Sequence, residues 1–231
     1  MGEAPLISVI IPALNEAEGI EACLASARQT GYPIEIIVVD GGSTDGTEEL
    51  ARGAGASVLT CVPGRAGQQN AGARMAVGEI LLFLHADTRL PEGWAETVLE
   101  VLSRPGVAGG AFRFAIDAPG AGYRFIEAMA NIRSRACQIP FGDQALFLKR
   151  ERFVELGGFP EMPIMEDFAF VERLRRTGRV LTLRESALTS PRRWQRLGKF
   201  RVTVLNKVMI WGYKAGVSPD RLARWYKVRT G

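Results

Sequence analysis

Apolar residues along this chain alternate between two rhythms. Leu6–Ile11 is an unbroken apolar run closed by Pro12, and the spacing of Ile20, Cys23, Leu24 and Ala27 behind Asn15-Glu16 predicts a helix to about Thr30. Ile34–Val39 is a second β-branched run, stopping at a turn-rich loop from Asp40 to Thr47, where another helix starts. Ser57–Thr60 reads as a short third strand, about Gln68–Ala76 as a helix, and Glu79–Leu84 as a fourth strand ending at His85-Ala86-Asp87. Strands with no polar alternation, separated by helices, imply a largely parallel sheet covered on both faces.

After Pro91 the pattern changes. Trp94–Leu102 has helical spacing, Gly109–Ile116 alternates as a strand, and Tyr123–Ala136 is helical again. Ala145–Lys149 is a strand, Arg150–Leu156 a short helix, Asp167–Thr177 a helix stopped by Gly178, and Val180–Leu183 the last clear strand. From Trp194 the tail is helical and amphipathic, interrupted around Gly216–Pro219. The expected fold class is α/β: a single Rossmann-like, mostly parallel sheet flanked by helices over residues 1–189, followed by a basic helical extension over 190–231 packed on or near it.

Composition alters this picture little. With 231 residues, 47% of them hydrophobic, the chain can bury a large core without disulfides or a structural metal. Cys23, Cys61 and Cys137 form no C-x-x-C pair and read as reduced, mostly buried thiols. Met1–Pro5 has no basic leader region, and no apolar run approaches the ~18 residues of a membrane span, so a cytoplasmic location is expected. Charge adds more. Ser190–Gly231 carries eleven Lys or Arg against Asp220 alone, a net +10, which leaves the body at −6. Such a tail suits an anionic partner such as a phosphate-bearing substrate or a lipid surface; no recognition motif accompanies it for nucleic acid.

In open α/β sheets, ligands bind at the carboxyl ends of the strands. Here those ends carry Pro12 with Asn15-Glu16, then Asp40, then Asp87. Carboxylates at two such ends repel a bare phosphate unless a cation intervenes. No G-x-G-x-x-G follows the first strand and no P-loop occurs, and the lone His85 excludes histidine-rich metal sites. Each residue also has a plain structural alternative: an Asx-turn for Asp40, helix capping for Asn15-Glu16 and Asp167, a turn for Asp143-Gln144.

Five ordered segments then resemble a known family. Val9-Ile-Ile-Pro-Ala-Leu-Asn-Glu16, Val38-Val-Asp-Gly-Gly-Ser-Thr-Asp-Gly-Thr47, Arg65-Ala-Gly-Gln-Gln-Asn-Ala-Gly72, Phe83-Leu-His-Ala-Asp-Thr88 and Met165-Glu-Asp167 are similar, in order and spacing, to the motifs of family 2 glycosyltransferases with the GT-A fold. Gly142-Asp143-Gln144-Ala145 and Ser190-Pro-Arg-Arg-Trp194 further resemble a bacterial subgroup of small non-processive members, the selenosugar- or radical-enzyme-associated glycosyltransferases. The resemblance implies an inverting, metal-dependent transfer from a nucleotide-diphosphate sugar, a UDP-sugar by preference, to a hydroxyl-bearing acceptor.

It assigns Asp167 as general base with Glu166 beside it. Pro12, Asn15, Glu16, Asp40, Arg65, Asn70, Ala86, Asp87, Arg193 and Trp194 fall on the donor, and Asp143 and Gln144 on the acceptor. Asp87 corresponds to the retained carboxylate of a D-x-D element and would hold Mg²⁺ or Mn²⁺. The first Asp of that element is His85 here, which leaves His85 open as a ligand, a neighbour of the ligands, or neither. The tail has three readings: a solvated helix, a cover over the diphosphate through Arg192, Arg193 and Trp194, or a peripheral contact with anionic membrane through Trp211, Tyr213 and Trp225. Two further functions compete. A nucleotidyltransferase would want a Gly-rich basic loop after the first strand, and a non-catalytic nucleotide-sugar or membrane-binding module would have no need of a base.

Overall fold

The computed structural model describes residues 6–230, with side chains through Lys227; Met1–Pro5, on which the expectation of no leader rests, lie outside them. Strands β1 (Ile7–Ala13), β2 (Ile34–Asp40), β3 (Ser57–Thr60) and β4 (Ile80–Phe83) pair in parallel in the order β3-β2-β1-β4. Helices α1 (Ala17–Arg28), α2 (Thr47–Gly53) and α3 (Arg65–Met75) cover them. The apolar runs are continuous because both faces are used. Ile7, Val9 and Ile11 pack with Ile20, Cys23 and Leu24 of α1, whereas Ile10, Ile37 and Val39 pack with Ala66, Ala71 and Ala73 of α3.

β1 does not stop at Pro12. Pairing with β4 ends at Ile10↔Phe83, whereas pairing with β2 continues to Ala13↔Asp40. The carbonyl of Ile10 faces β4 and that of Ala13 faces β2, so by alternation the missing N–H of Pro12 falls on the unpaired side and costs no ladder bond.

The second half comprises β5 (Thr88–Arg89), α4 (Trp94–Ser103), β6 (Val107–Ile116), α5 (Ala121–Cys137), β7 (Leu146–Lys149), α6 (Arg150–Glu155), α7 (Glu166–Leu174) and β8 (Arg179–Thr189). The described residues form one sheet in the order β3-β2-β1-β4-β7-β6-β8-β5. β7 runs antiparallel to β4 and β6, and β5 antiparallel to β8, so the sheet is parallel on one side and mixed on the other. β8 reaches six residues past the expected Leu183. Its pairing with β6 slips register between Ala111 and Arg113, and the bulge falls on Arg184-Glu185, whose charge hides the strand.

The extension forms α8 (Arg192–Leu197), α9 (Lys199–Lys214) and α10 (Pro219–Thr230), broken where the sequence indicates. It packs on the body. Trp194 and Val202 join Phe114, Ile116 and Tyr123, while Leu205, Met209 and Leu222 enter the cluster built around α3 and α7. Each such side chain contributes about 1.5–3 kcal/mol on burial, which anchors α9 firmly.

Candidate active site

The sheet order brings the carboxyl ends of β1, β2 and β4 side by side, and the two loops behind β1 and β2 are laced together. Asp40 is buried; its Oδ2 accepts from the Gly42 and Ser43 N–H groups at 2.8 Å each and its Oδ1 from Ser43 Oγ at 2.5 Å. Ser43 Oγ in turn accepts from the Asn15 N–H at 2.8 Å, and Asn15 Oδ1 accepts from the Thr44 N–H at 2.9 Å. Asp45 receives the Ala17 N–H at 3.0 Å and Thr47 receives the Glu16 N–H at 2.8 Å. Asn15 sits at φ 54°, a left-handed turn that Asn tolerates. Asp40 therefore does form the Asx-type turn, and Oδ1 keeps capacity for one more donor.

Asp87 lies in a tight turn closed by the Thr88 N–H on the His85 carbonyl at 3.0 Å. A Cβ on Gly19 of α1 would come within 3.3 Å of the Ala86 carbonyl oxygen, so glycine there lets the helix start press against this turn. Asp87 shares one guanidinium with two other acids. Arg192 hydrogen-bonds Glu16 and lies 3.7 Å from Asp87 Oδ2 and 3.6 Å from Glu18. Burial pushes the Glu16 carboxyl up, Arg192 pulls it back, and Asp87 raises it further. Burial disfavours the charge on Arg192, but Glu16, Asp87 and Glu18 outweigh it. Oxygen-only chemistry of this kind suits a hard divalent cation. Among the described residues no group of three or more ligating side chains is preassembled.

Asp167 stands in a second corner. It follows Met165, held at φ 71°, in the first turn of α7. Its Oδ2 accepts from the Gly142 N–H at 2.8 Å and its Oδ1 from the Phe168 N–H at 2.6 Å. A Cβ on Gly142 would lie 3.0 Å from His85 Nε2 and 3.3 Å from Asp167 Oδ2, so a side chain there would push both groups back by a few tenths of an ångström. Burial, with Arg65 and Arg193 nearby, lowers the His85 pKa to about 3, which keeps the imidazole neutral. Burial raises Asp143 to about 6 against the pull of Arg133, and Asp167 adds to the rise. Glu166 is also raised, by burial and then by Asp167, with Arg65 opposing from 3.5 Å. Of the four buried side-chain polar atoms that lack a hydrogen bond among the described residues, three are His85 Nε2, Glu166 Oε1 and Arg193 Nε, all here. Unsatisfied polar atoms beside displaced pKa values mark a place built for a ligand.

Several expected site residues are engaged elsewhere. Asn70 clamps Phe159, donating to its carbonyl at 2.8 Å and accepting its N–H at 2.9 Å. Gln144 is fully buried, donating to the Phe112 carbonyl and accepting the Phe141 N–H, so it shapes the turn and does not line an acceptor pocket. Ala86 and Trp194 are core residues, the latter packed on Phe114. His85 brings its Nε2 close to Gly142, which donates to Asp167. Tyr213 packs inward on Phe168, and of the cysteines only Cys23 is buried. Two residues were assigned no role from the sequence. Gln68 ties the ends of β1 and β2 together through the Ala13 and Val39 carbonyls at 2.8 Å each, and Arg133 of α5 donates to the Ile139 carbonyl at 2.6 Å and lies over the Phe141 ring, from where its charge opposes the rise of the Asp143 pKa.

Comparison with known proteins agrees with this geometry. The model of glycosyl transferase family 2 matches residues 8–157. Glycosyltransferase AglE of Haloferax volcanii is 31% identical over 172 residues, covering 68% of this chain and 56% of that protein. A PGL/p-HBAD biosynthesis glycosyltransferase of Mycobacterium bovis is 42% identical over 106 residues, covering 42% and 41%. The chain thus spans about half the length of these curated relatives. Among solved structures, the mannosyltransferase PcManGT from Pyrobaculum calidifontis, in complex with GDP-Man and Mn²⁺, matches with a TM-score of 0.70 at 24% identity, over 92% of this chain and 66% of that one. S. aureus TarS 1-349 with UDP matches at 0.66 and 18% identity, over 88% and 64%. The GT-A fold is shared with both, and with the family model covering most of its length the chain belongs to glycosyl transferase family 2.

Proposed function

We propose that this chain transfers a glycosyl group, with inversion, from a nucleotide-diphosphate sugar to a hydroxyl-bearing acceptor. The observation that carries the reading is the Asp167 corner: a carboxylate with both oxygens held by backbone N–H groups, beside a neutral imidazole, among buried polar atoms that lack hydrogen-bond partners. Each Asp167 oxygen keeps a lone pair with which to take the acceptor's proton. The acceptor oxygen attacks the anomeric carbon, the bond to the diphosphate breaks, and the proton passes to Asp167. A single displacement of this kind inverts the centre.

The donor lies across the strand ends in this reading. Asp40 Oδ1 accepts from the base, a uracil by preference, and Asn15 and Pro12 shape its seat. Arg65, Arg192 and Arg193 face the diphosphate from three sides, bidentate donors suited to phosphate oxygens. Asp87 is the protein ligand for Mg²⁺ or Mn²⁺, with Glu16 close by, and a bound ion would offset charge on the departing diphosphate. Asp143, with its raised pKa and Arg133 behind it, faces the acceptor. PcManGT binds GDP-Man with Mn²⁺ and TarS binds UDP, which supports a nucleotide-sugar donor without fixing the base. We place the chain in the cytoplasm.

The test is a thermal-shift screen of UDP-, GDP- and dTDP-sugars with and without Mn²⁺, followed by transfer assays. A metal-dependent rise in melting temperature with one nucleotide supports the reading. No rise with any of them, from a folded protein, overturns it.

A further inference from the structure

The tail's charge and a set of solvent-facing aromatic residues meet on α5 and α9. Phe125 (64% exposed), Met129 and Ile132 (61%) recur at helical spacing on the outer side of α5. Phe200 (83%), Val204 and Trp211 (73%) do the same on α9, with exposed Lys207 on the same stripe. The two helices touch where Lys199 Nζ lies 3.8 Å from the Tyr123 ring centroid. Large aromatics this exposed are costly in water when they cluster, so such a face wants a cover.

The charge says which cover. α9 contains Lys199, Arg201, Lys207 and Lys214 and no acidic residue. The only acid of α5, Glu127, is buried and accepts the Ile116 N–H at 2.7 Å. A second copy would set one +10 tail against another, which like-charge repulsion opposes. A face of Phe, Trp and Ile interleaved with Lys and Arg, free of carboxylates, complements a planar anionic surface with an apolar interior. No helix among the described residues is long and apolar enough to cross a membrane, so α9 would lie in the interface, its ~24 Å length along the plane.

We infer that the outer faces of α5 and α9 dock this protein on an anionic lipid bilayer. The placement has a consequence for the site. On its inner side α9 carries Tyr213, whose ring lies 5.7 Å from that of Phe168, the residue after Asp167. The bilayer therefore approaches the molecule on the side of α7, and an acceptor borne by that bilayer arrives nearest the base. This last point rests on the transfer reading; docking itself does not.

Sedimentation of the full chain with vesicles, without donor, tests docking alone. The protein should bind phosphatidylglycerol-containing vesicles at low salt and phosphatidylcholine vesicles weakly. The double variant Phe200→Ser/Trp211→Ser, at solvent-facing positions, should keep the wild-type melting temperature and bind roughly tenfold more weakly or worse. Lys207→Glu/Lys214→Glu should lose the preference for anionic vesicles. Failure of the wild type to sediment with anionic vesicles overturns the inference. So does undiminished binding by both folded variants, or an apolar face found instead to hold a dimer by light scattering that the Phe200→Ser/Trp211→Ser pair dissolves. A chain that docks but transfers no sugar would sink the transfer reading and leave docking intact.

Discussion

At one end of the cleft, Arg192 meets Glu16, Glu18 and Asp87 at a partly exposed rim, where the Asp87 side chain keeps 28% of its surface in water. At the other, Arg65, Arg133 and Arg193 lie around Asp143, Glu166 and Asp167; there the Glu166 side chain keeps only 4% of its surface in water, while Arg65, its partner, keeps 55%. Both corners balance carboxylates with guanidinium groups, yet pKa values move far only in the second. Water at the rim screens each charge, so Arg192 can leave its acids at modest cost and trade them for a phosphate. Around the buried Glu166 the same charges interact more strongly, and burial shifts the carboxyls toward their neutral forms. The rim is thus built to exchange partners, and the interior corner to hold still. Two adjacent tail residues connect them, since Arg192 points to the rim and Arg193 to the interior, where it bonds Asn206 at 2.8 Å and faces His85 and Asp143.

The largest effect is expected in the fixed corner. Asp167→Asn keeps the shape and the two backbone hydrogen bonds in part but cannot take a proton, so kcat should fall by about 10²–10⁴ with donor affinity nearly unchanged. Transfer near the wild-type rate would move the base elsewhere and dissolve the distinction between the corners. At the rim, Asp87→Ala should remove the part of donor binding that depends on Mn²⁺ while the protein stays folded, seen as loss of the metal-dependent thermal shift. Normal metal-dependent activity in that variant would sink the assignment.

A smaller and opposite effect separates Arg192 from Asp87. In the resting chain the guanidinium already neutralises the acids that a metal would share, so the two cations compete. Arg192→Ala should bind Mn²⁺ several-fold more tightly in the absence of donor, read from the free Mn²⁺ electron paramagnetic resonance signal, and should raise the donor KM because a phosphate contact is lost. If free Mn²⁺ is unchanged, Arg192 is a fixed strut, and the rim is no more exchangeable than the interior.

Much of the parallel half was legible, because buried strands leave unbroken apolar runs and each loop has its turn residues: Asp40-Gly41-Gly42 and His85-Ala86-Asp87 sit where the strands end. The mixed half was less so. β5 is two residues long, and β8 hides its second part behind the charged bulge at Arg184-Glu185. At the candidate site, the family resemblance pointed to Asp87 and Asp167 but not to the groups that contact them. Asn70, Gln144 and Trp194 lie within the right segments, yet their side chains point into structure, since a motif fixes a stretch of backbone and not each side chain's direction. Arg133 is invisible in the sequence for the converse reason, bringing its charge near Asp143 from a helix whose neighbours are ordinary.

The finest test of the comparison is the pH dependence of stability at Asp143. Burial raises its pKa to about 6 in the fold, above the ordinary 3.8 of an unfolded chain. A raised carboxyl favours the neutral form in the folded state. Its contribution is fully present below pH ~4 and is lost as pH rises through about 6. A shift of this size corresponds to about 1–3 kcal/mol once partial exposure is allowed for. Asp143→Asn is neutral at every pH and should lack that loss, so the variant's stability relative to wild type should improve by most of that amount between pH 4.5 and pH 7 in urea unfolding. Glu16 and Glu166, also raised, titrate in both proteins and largely cancel from the difference. An unchanged difference between the two pH values would mean that Asp143 is ionised in the fold like a surface acid, with Arg133 winning over burial. The interior corner would then be as well screened as the rim, and the contrast between them would rest on Asp167 and His85 alone.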